Sequence, residues 1–119
     1  MENLPESKNE GSESEEKRIA AIIKSKGLED QEARDAYIAW CSEQEEASDR
    51  AADRALASIE YEHKRALIYF WAGFMEEAVI AFMDAIQIAE GEGRYKLSQK
   101  MAEEMDRLKT ERDLGQPDS

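Results

Sequence analysis

Apolar residues recur along most of this chain at steps of three and four, the spacing that places side chains on one face of an α-helix. The most apolar and aromatic stretch runs from Arg65 to Ala89, and Gly73 divides it. This division predicts two antiparallel helices that meet at Gly73. The apolar stripe of the first helix is Leu56, Ile59, His63, Ala66 and Phe70, and that of the second, Phe74 to Ala89, is Met75, Ala78, Val79, Phe82, Ala85 and Ile86.

A short helix is predicted at Lys17–Lys26, before this hairpin. Ile19, Ile22 and Ile23 form its apolar stripe, and Gly27 supplies a stop signal. About three helical turns do not stand alone in water. We therefore expect the isoleucines to dock either on the main bundle or on a partner.

A second helix is predicted at Asp30–Gln44, with Asp30 as its N-cap. An unbroken helix from Asp30 to Trp71 would exceed about 60 Å, which is long for a small domain. We therefore predict a break or bend near Ser48. The apolar face of this helix carries Ala33, Ala36, Tyr37, Trp40, Cys41 and Gln44.

The last predicted helix is Arg94–Arg112, which follows a turn at Gly91–Gly93. Residues 1–16 and 113–119 are polar and have little to bury, so we expect two disordered tails around a helical domain at 17–112. The prediction is an all-α fold of four to five helices. The apolar edge of the last helix carries Leu97, Met101, Met105 and Leu108.

The charge balance narrows the choice of partner. A net charge of −12 argues against nucleic-acid phosphates and against anionic membranes, and it permits a basic protein. The single cysteine, Cys41, excludes an intramolecular disulfide. The start of the sequence lacks the apolar core of a signal peptide, and the longest apolar run is too short to span a bilayer, so we expect a cytoplasmic protein.

The residues after Gly73 resemble the second half of a tetratricopeptide repeat. That family has a turn glycine, then spaced large and small apolar residues that let two helices approach closely. Glu62 and Arg65 stand where the family has Trp and Leu, and the resemblance covers one repeat-like unit. It implies a helical hairpin that needs neighbouring helices to complete its core. The matching positions are Gly73, Met75, Glu77, Ala78, Val79, Phe82, Ala85, Ile86 and Ile88, with Ala66 and Tyr69 in the first half.

A weaker resemblance is to the microtubule-interacting and trafficking domain, a three-helix bundle. It would cover Ile59 to Arg112, and the closing residues Met105 to Lys109 are similar to the end of its third helix. The resemblance implies that a partner helix docks in a groove between helices.

The expected function is non-catalytic protein binding, as an adaptor or chaperone-like module that holds an apolar helix or peptide. Structural alternatives remain open: the same side chains pack on the Asp30–Gln44 helix, or they meet their own copies in a homo-oligomer. Acidic residues at the rim would favour basic partners. The predicted partner-binding residues are His63, Leu67, Phe70, Trp71, Phe74 and Trp40.

One pattern would suit an enzyme. Glu60-x-x-His63 has the spacing of carboxylate-bridged di-iron bundles, and Glu32 could add a ligand. A histidine in a helix seam is more often structural, and Cys41 has an acidic sequence environment that disfavours a thiolate. We therefore predict no enzymatic activity and no cofactor, with a ferritin-like di-iron enzyme as an alternative.

Overall fold

The computed structural model describes the backbone of residues 4–114 and the side chains of residues 15–113. This part of the chain contains five α-helices and no strand, which confirms the predicted all-α fold. The helices are α1 Leu4–Lys26, α2 Gln31–Arg50, α3 Arg54–Ala72, α4 Met75–Gly91 and α5 Tyr95–Leu114.

The first helix begins earlier than the sequence indicated. We predicted a start at Lys17, but α1 begins at Leu4, and Glu16 is already buried against α2. The Glu16 carboxylate accepts a hydrogen bond from the Trp40 indole N–H, which extends the described contact of α1 with α2 one residue before the predicted start. Residues 1–3 and 115–119 of the two predicted tails lie outside the described backbone.

The predicted break near Ser48 is confirmed, three residues further along the chain. Helix α2 runs through Ser48 to Arg50, and the N–H of Ala51 donates to the Ser48 carbonyl. Helix α3 then starts at its N-cap Asp53, whose carboxylate accepts a hydrogen bond from the Leu56 N–H at 3.0 Å. The cap at Asp53, rather than a residue at 48, sets the position of the break.

Gly73 ends α3 in the left-handed conformation, with φ of 93°. Its N–H donates to Phe70, and the next N–H donates to the Tyr69 carbonyl at 2.8 Å. Ile59, near the start of α3, packs with Ala85 and Ala89 near the end of α4. Helices α3 and α4 are therefore antiparallel, as the hairpin prediction required.

Helix α3 is shared between two hydrophobic clusters. The amino-terminal cluster joins α1 and α2 to the second half of α3, and the carboxy-terminal cluster joins α3, α4 and α5. Met105 packs against both groups of residues that make up the carboxy-terminal cluster. The amino-terminal cluster is Ile19, Ala20, Ile23, Ala33, Trp40, Ile68 and Ala72; the carboxy-terminal cluster is Ile59, Ala66, Ala81, Phe82, Ala85, Ile86, Ala89 and Met101.

Helix α5 runs parallel to α3, and three polar contacts join the two at nearly constant register. Arg94 pairs with Asp53 at 2.6 Å at one end. His63 Nε2 lies 2.6 Å from Glu104 Oε1 in the middle. At the other end Arg112 donates to the Gly73 carbonyl at 3.3 Å. Both helices rest on α4, so a groove remains between them.

None of the helices in the described part of the chain is long and apolar enough to cross a membrane.

Candidate functional site

An apolar depression lies between the end of α1, the start of α2 and the second half of α3. We call it the α1–α2 groove, and its volume is about 270 Å³. Ile23 and Ala33, each 1% exposed, form its floor. Ile38 stands at its rim with 56% of its surface exposed. The lining residues are Ile23, Leu28, Ala33, Arg34, Tyr37, Ile38 and Tyr69.

Local sequence explains the position of this groove. Gly27 has φ of 96° and ends α1, and Asp30 caps α2 by accepting the Ala33 N–H at 3.1 Å. The chain therefore reverses within the few residues 27–30. Leu28 in this turn packs against the amino-terminal cluster and closes one end of the groove.

Two tyrosines provide the polar groups of the groove. The Tyr69 hydroxyl donates to the Tyr37 hydroxyl at 3.4 Å, and the two rings are 5.8 Å apart. Burial, together with this hydrogen bond, raises the pKa of Tyr37 well above its usual range. The Tyr37 hydroxyl therefore stays neutral at physiological pH, and Arg34 is the charged residue in the lining.

A second, wider groove lies between α3 and α5. This α3–α5 groove has a volume of about 600 Å³, and the His63–Glu104 contact crosses it. Its lining mixes two apolar residues with charges of both signs, so it presents no continuous apolar surface. The lining residues are His63, Leu97, Lys100, Met101, Glu103, Glu104 and Arg107.

The six residues predicted to bind a partner do not line one groove. Trp40 is only 1% exposed, and its indole N–H donates to Glu16 at 3.0 Å. It therefore presents no surface to a partner while α1 is in place. His63 lines the α3–α5 groove, where its ring also packs on Phe82 at 5.7 Å.

The other four predicted residues are partly buried. Trp71 and Phe74 are partly buried against the amino-terminal cluster, and Lys17 of α1 lies 5.3 Å from the Trp71 ring. Leu67 packs against the carboxy-terminal cluster. Phe70 is partly exposed and lines neither groove. Packing inside the domain, the structural alternative, thus accounts for most of the aromatic stripe.

Sequence reasoning missed the residues that line the α1–α2 groove. Ile38 was the available signal, because it falls outside the apolar stripe of α2, and Arg34, Asp35 and Ser42 lie one helical turn away from it. An isoleucine at such a position has no helix of its own chain to contact. Tyr69 was noted as a match to the repeat pattern, but its contact with Tyr37 depends on how α2 crosses α3.

The di-iron arrangement has no counterpart in the described side chains. His63 bonds to Glu104, Glu60 is exposed, and Glu32 pairs with Lys26 at 3.3 Å. Residues 15–113 contain no group of three or more His, Cys, Asp or Glu side chains placed to hold a metal ion. We do not carry the di-iron hypothesis further.

No protein-family model matches this chain, and no curated protein or solved structure is significantly similar to it.

Proposed function

We propose that this protein is a non-catalytic binding module that holds an apolar segment of another protein in the α1–α2 groove. The observation that supports this proposal is an exposed isoleucine, Ile38, beside an apolar depression with a buried floor. A volume of about 270 Å³ suits one or two large side chains of a docked peptide or helix.

The charge of the protein favours a basic partner. Helix α2 carries exposed acids on its outer surface, among them Glu32 and Asp35, and the whole chain has a net charge of −12. Exposed charges at the rim of an interface mainly speed association and exclude wrongly charged partners. A partner segment with apolar anchors flanked by Lys or Arg fits this surface best.

The experiment compares two isoleucines of equal exposure. Ile38 lies at the groove and is 56% exposed, whereas Ile80 lies on α4 and is 59% exposed. Proteins recovered with wild type are identified by mass spectrometry, and Ile38→Asp should lose a partner that Ile80→Asp retains. Equal recovery of every partner by both variants would contradict the proposal.

A second candidate function is self-association through α4. Ile80 and Met83, which is 42% exposed, lie one turn apart on the side of α4 that faces away from α3 and α5. Two copies could cover these side chains by packing against each other. Sedimentation tests this candidate: a dimer that Ile80→Asp dissociates and Ile38→Asp preserves would favour it over the groove.

A further inference from the structure

Helix α1 contacts the rest of the domain in the manner of a helix bound in a groove. Among the described side chains of α1, the buried residues are Glu16, Ile19, Ala20 and Ile23, which follow the i, i+3, i+4, i+7 pattern by which an amphipathic helix binds in the groove of a partner. Ile19, Ala20 and Ile23 belong to the amino-terminal cluster, and Glu16 accepts the Trp40 indole N–H at 3.0 Å.

The surface beneath α1 is the most aromatic in the molecule. Trp40 stacks with Tyr37 at 6.1 Å and with Tyr61 at 5.5 Å between ring centroids. Trp71 and Phe74 pack against the same cluster. Three of the six predicted partner-binding residues, Trp40, Trp71 and Phe74, therefore lie in the cluster that α1 completes.

The described side chains of α1 contribute both favourable and unfavourable terms to its attachment. Among them, the large side chains that are fully buried are Ile19 and Ile23, and each contributes about 1.5–3 kcal/mol. Glu15 lies beside Glu43 of α2; burial and then this neighbouring carboxylate raise the pKa of Glu15. At neutral pH the two like charges oppose the docking of α1.

We propose that the aromatic face of α2 and α3 is a second partner site, and that α1 occupies it as an internal competitor which a helix of another protein displaces. The partner helix carries an acid, then aliphatic, small and aliphatic residues three, four and seven positions later. A basic residue directly before the acid makes the partner helix bind more tightly than α1, because this residue lies beside Glu43 in place of Glu15. This inference rests on the proposed non-catalytic binding function but concerns a different site, because displacement of α1 removes Ile23 from the floor of the α1–α2 groove.

The test uses a fluorescein-labelled peptide with the sequence of residues 4–26, titrated with the full chain. Ile19→Asp combined with Ile23→Asp weakens α1 in the protein, and Ala21→Asp combined with Ser25→Asp adds the same charge on its exposed side. We expect the first variant to bind the peptide at least about tenfold more tightly than wild type, because the internal competitor has left. The second variant should bind like wild type.

A milder variant protects the test against misfolding. Ile23→Ala truncates one of the buried side chains of α1. If circular dichroism shows that the double variant is unfolded, the peptide titration is made with Ile23→Ala instead. It should bind the peptide more tightly than wild type does. No binding to a folded variant, or equal binding to wild type and variant, would overturn the proposal.

Peptide chemistry and oligomeric state complete the test. A peptide with Glu15→Lys should bind several-fold more tightly than the native peptide, and Glu43→Gln in the protein should reduce this difference. A wild-type dimer that exchanges its α1 helices would assign the site to a second copy and overturn the partner proposal. Failure of the Ile38→Asp experiment alone leaves peptide binding intact, so the two proposals fail separately.

Discussion

The hydrogen bond between Trp40 and Glu16 is the most deeply buried polar contact between side chains in the described part of the chain. Glu16 is 6% exposed, and the indole N–H of Trp40 is its hydrogen-bond partner. A buried acceptor that loses its donor costs about 1–3 kcal/mol, whereas replacing both partners with apolar groups costs much less. The contact therefore attaches α1 only as long as both groups are present.

We predict that Trp40→Phe lowers the free energy of unfolding by about 1–3 kcal/mol beyond the effect of the smaller ring. Urea denaturation measures it. Combining Trp40→Phe with Glu16→Met should recover part of the loss, because no carboxylate then remains unpaired. Trp71→Phe is the control, since Trp71 is only partly buried. Additive effects of Trp40→Phe and Glu16→Met would contradict this account.

Gly73 is required for its backbone conformation and not for space. A Cβ at Gly73 would meet nothing within 4 Å, but φ is 93°. We expect Gly73→Ala to destabilise the protein by about 1–2 kcal/mol. Gly91→Ala is the matched control: its Cβ is equally unobstructed and its φ is not positive, so thermal unfolding should show an unchanged or raised Tm. Similar losses in both variants would refute the conformational explanation.

At the scale of the helix, Asp53 links the start of α3 to the start of α5. The Leu56 N–H, and then Arg94, hold the pKa of Asp53 below its ordinary value of 3.8. The native carboxylate therefore binds protons less readily than the unfolded one, so its stabilisation is present above that value and is lost as the pH falls through its native pKa.

The corresponding prediction concerns acid sensitivity. Between neutral pH and values below 3.8, the Tm of Asp53→Asn should fall less than that of wild type, because the variant has no carboxylate to protonate. Asp49→Asn removes an exposed acid that caps no helix, and it should follow the wild-type pH dependence. Thermal denaturation monitored by circular dichroism gives both curves. Identical curves for Asp53→Asn and wild type would exclude the cap as the source.

The helical spacing of apolar residues was sufficient to predict the helices. It was not sufficient to predict which neighbouring helix covers each apolar face. Ala66, Phe82 and Ala85 were placed in the hairpin core because small and large residues alternate at helical steps, and they are buried there. Trp40 and Trp71 were assigned to a partner surface, yet α1 contacts both. An apolar stripe on a helix indicates that this face packs against another apolar surface. Which surface it contacts depends on how the helices cross in the folded domain. The same limit hid the contact of Tyr37 with Tyr69 across two helices.

For the whole molecule, the position of α3 determines the order of stability. In the described part of the chain, α3 contributes to both clusters, whereas α1 contributes to the amino-terminal cluster and α5 to the carboxy-terminal cluster. Amides in α3 can exchange with solvent only when both clusters open, that is, on global unfolding. Because the described residues of α1 contribute to one cluster, we expect α1 to open at a lower cost than α3.

Native-state hydrogen exchange tests this order. We expect the slowest exchange in the second half of α3, around Ala66 and Ile68, and faster exchange in α1. Met101→Ala in α5 should cost about 2–5 kcal/mol. It should speed amide exchange in α3 by the factor that corresponds to this loss in stability, because exchange in α3 depends on the free energy of global unfolding. Its effect on α1 should be smaller, because α1 exchanges by local release from a cluster that Met101 does not contact. Equal acceleration in α1 and α3 would show that α1 is released only with global unfolding, and an internal competitor could then not be displaced from the native state.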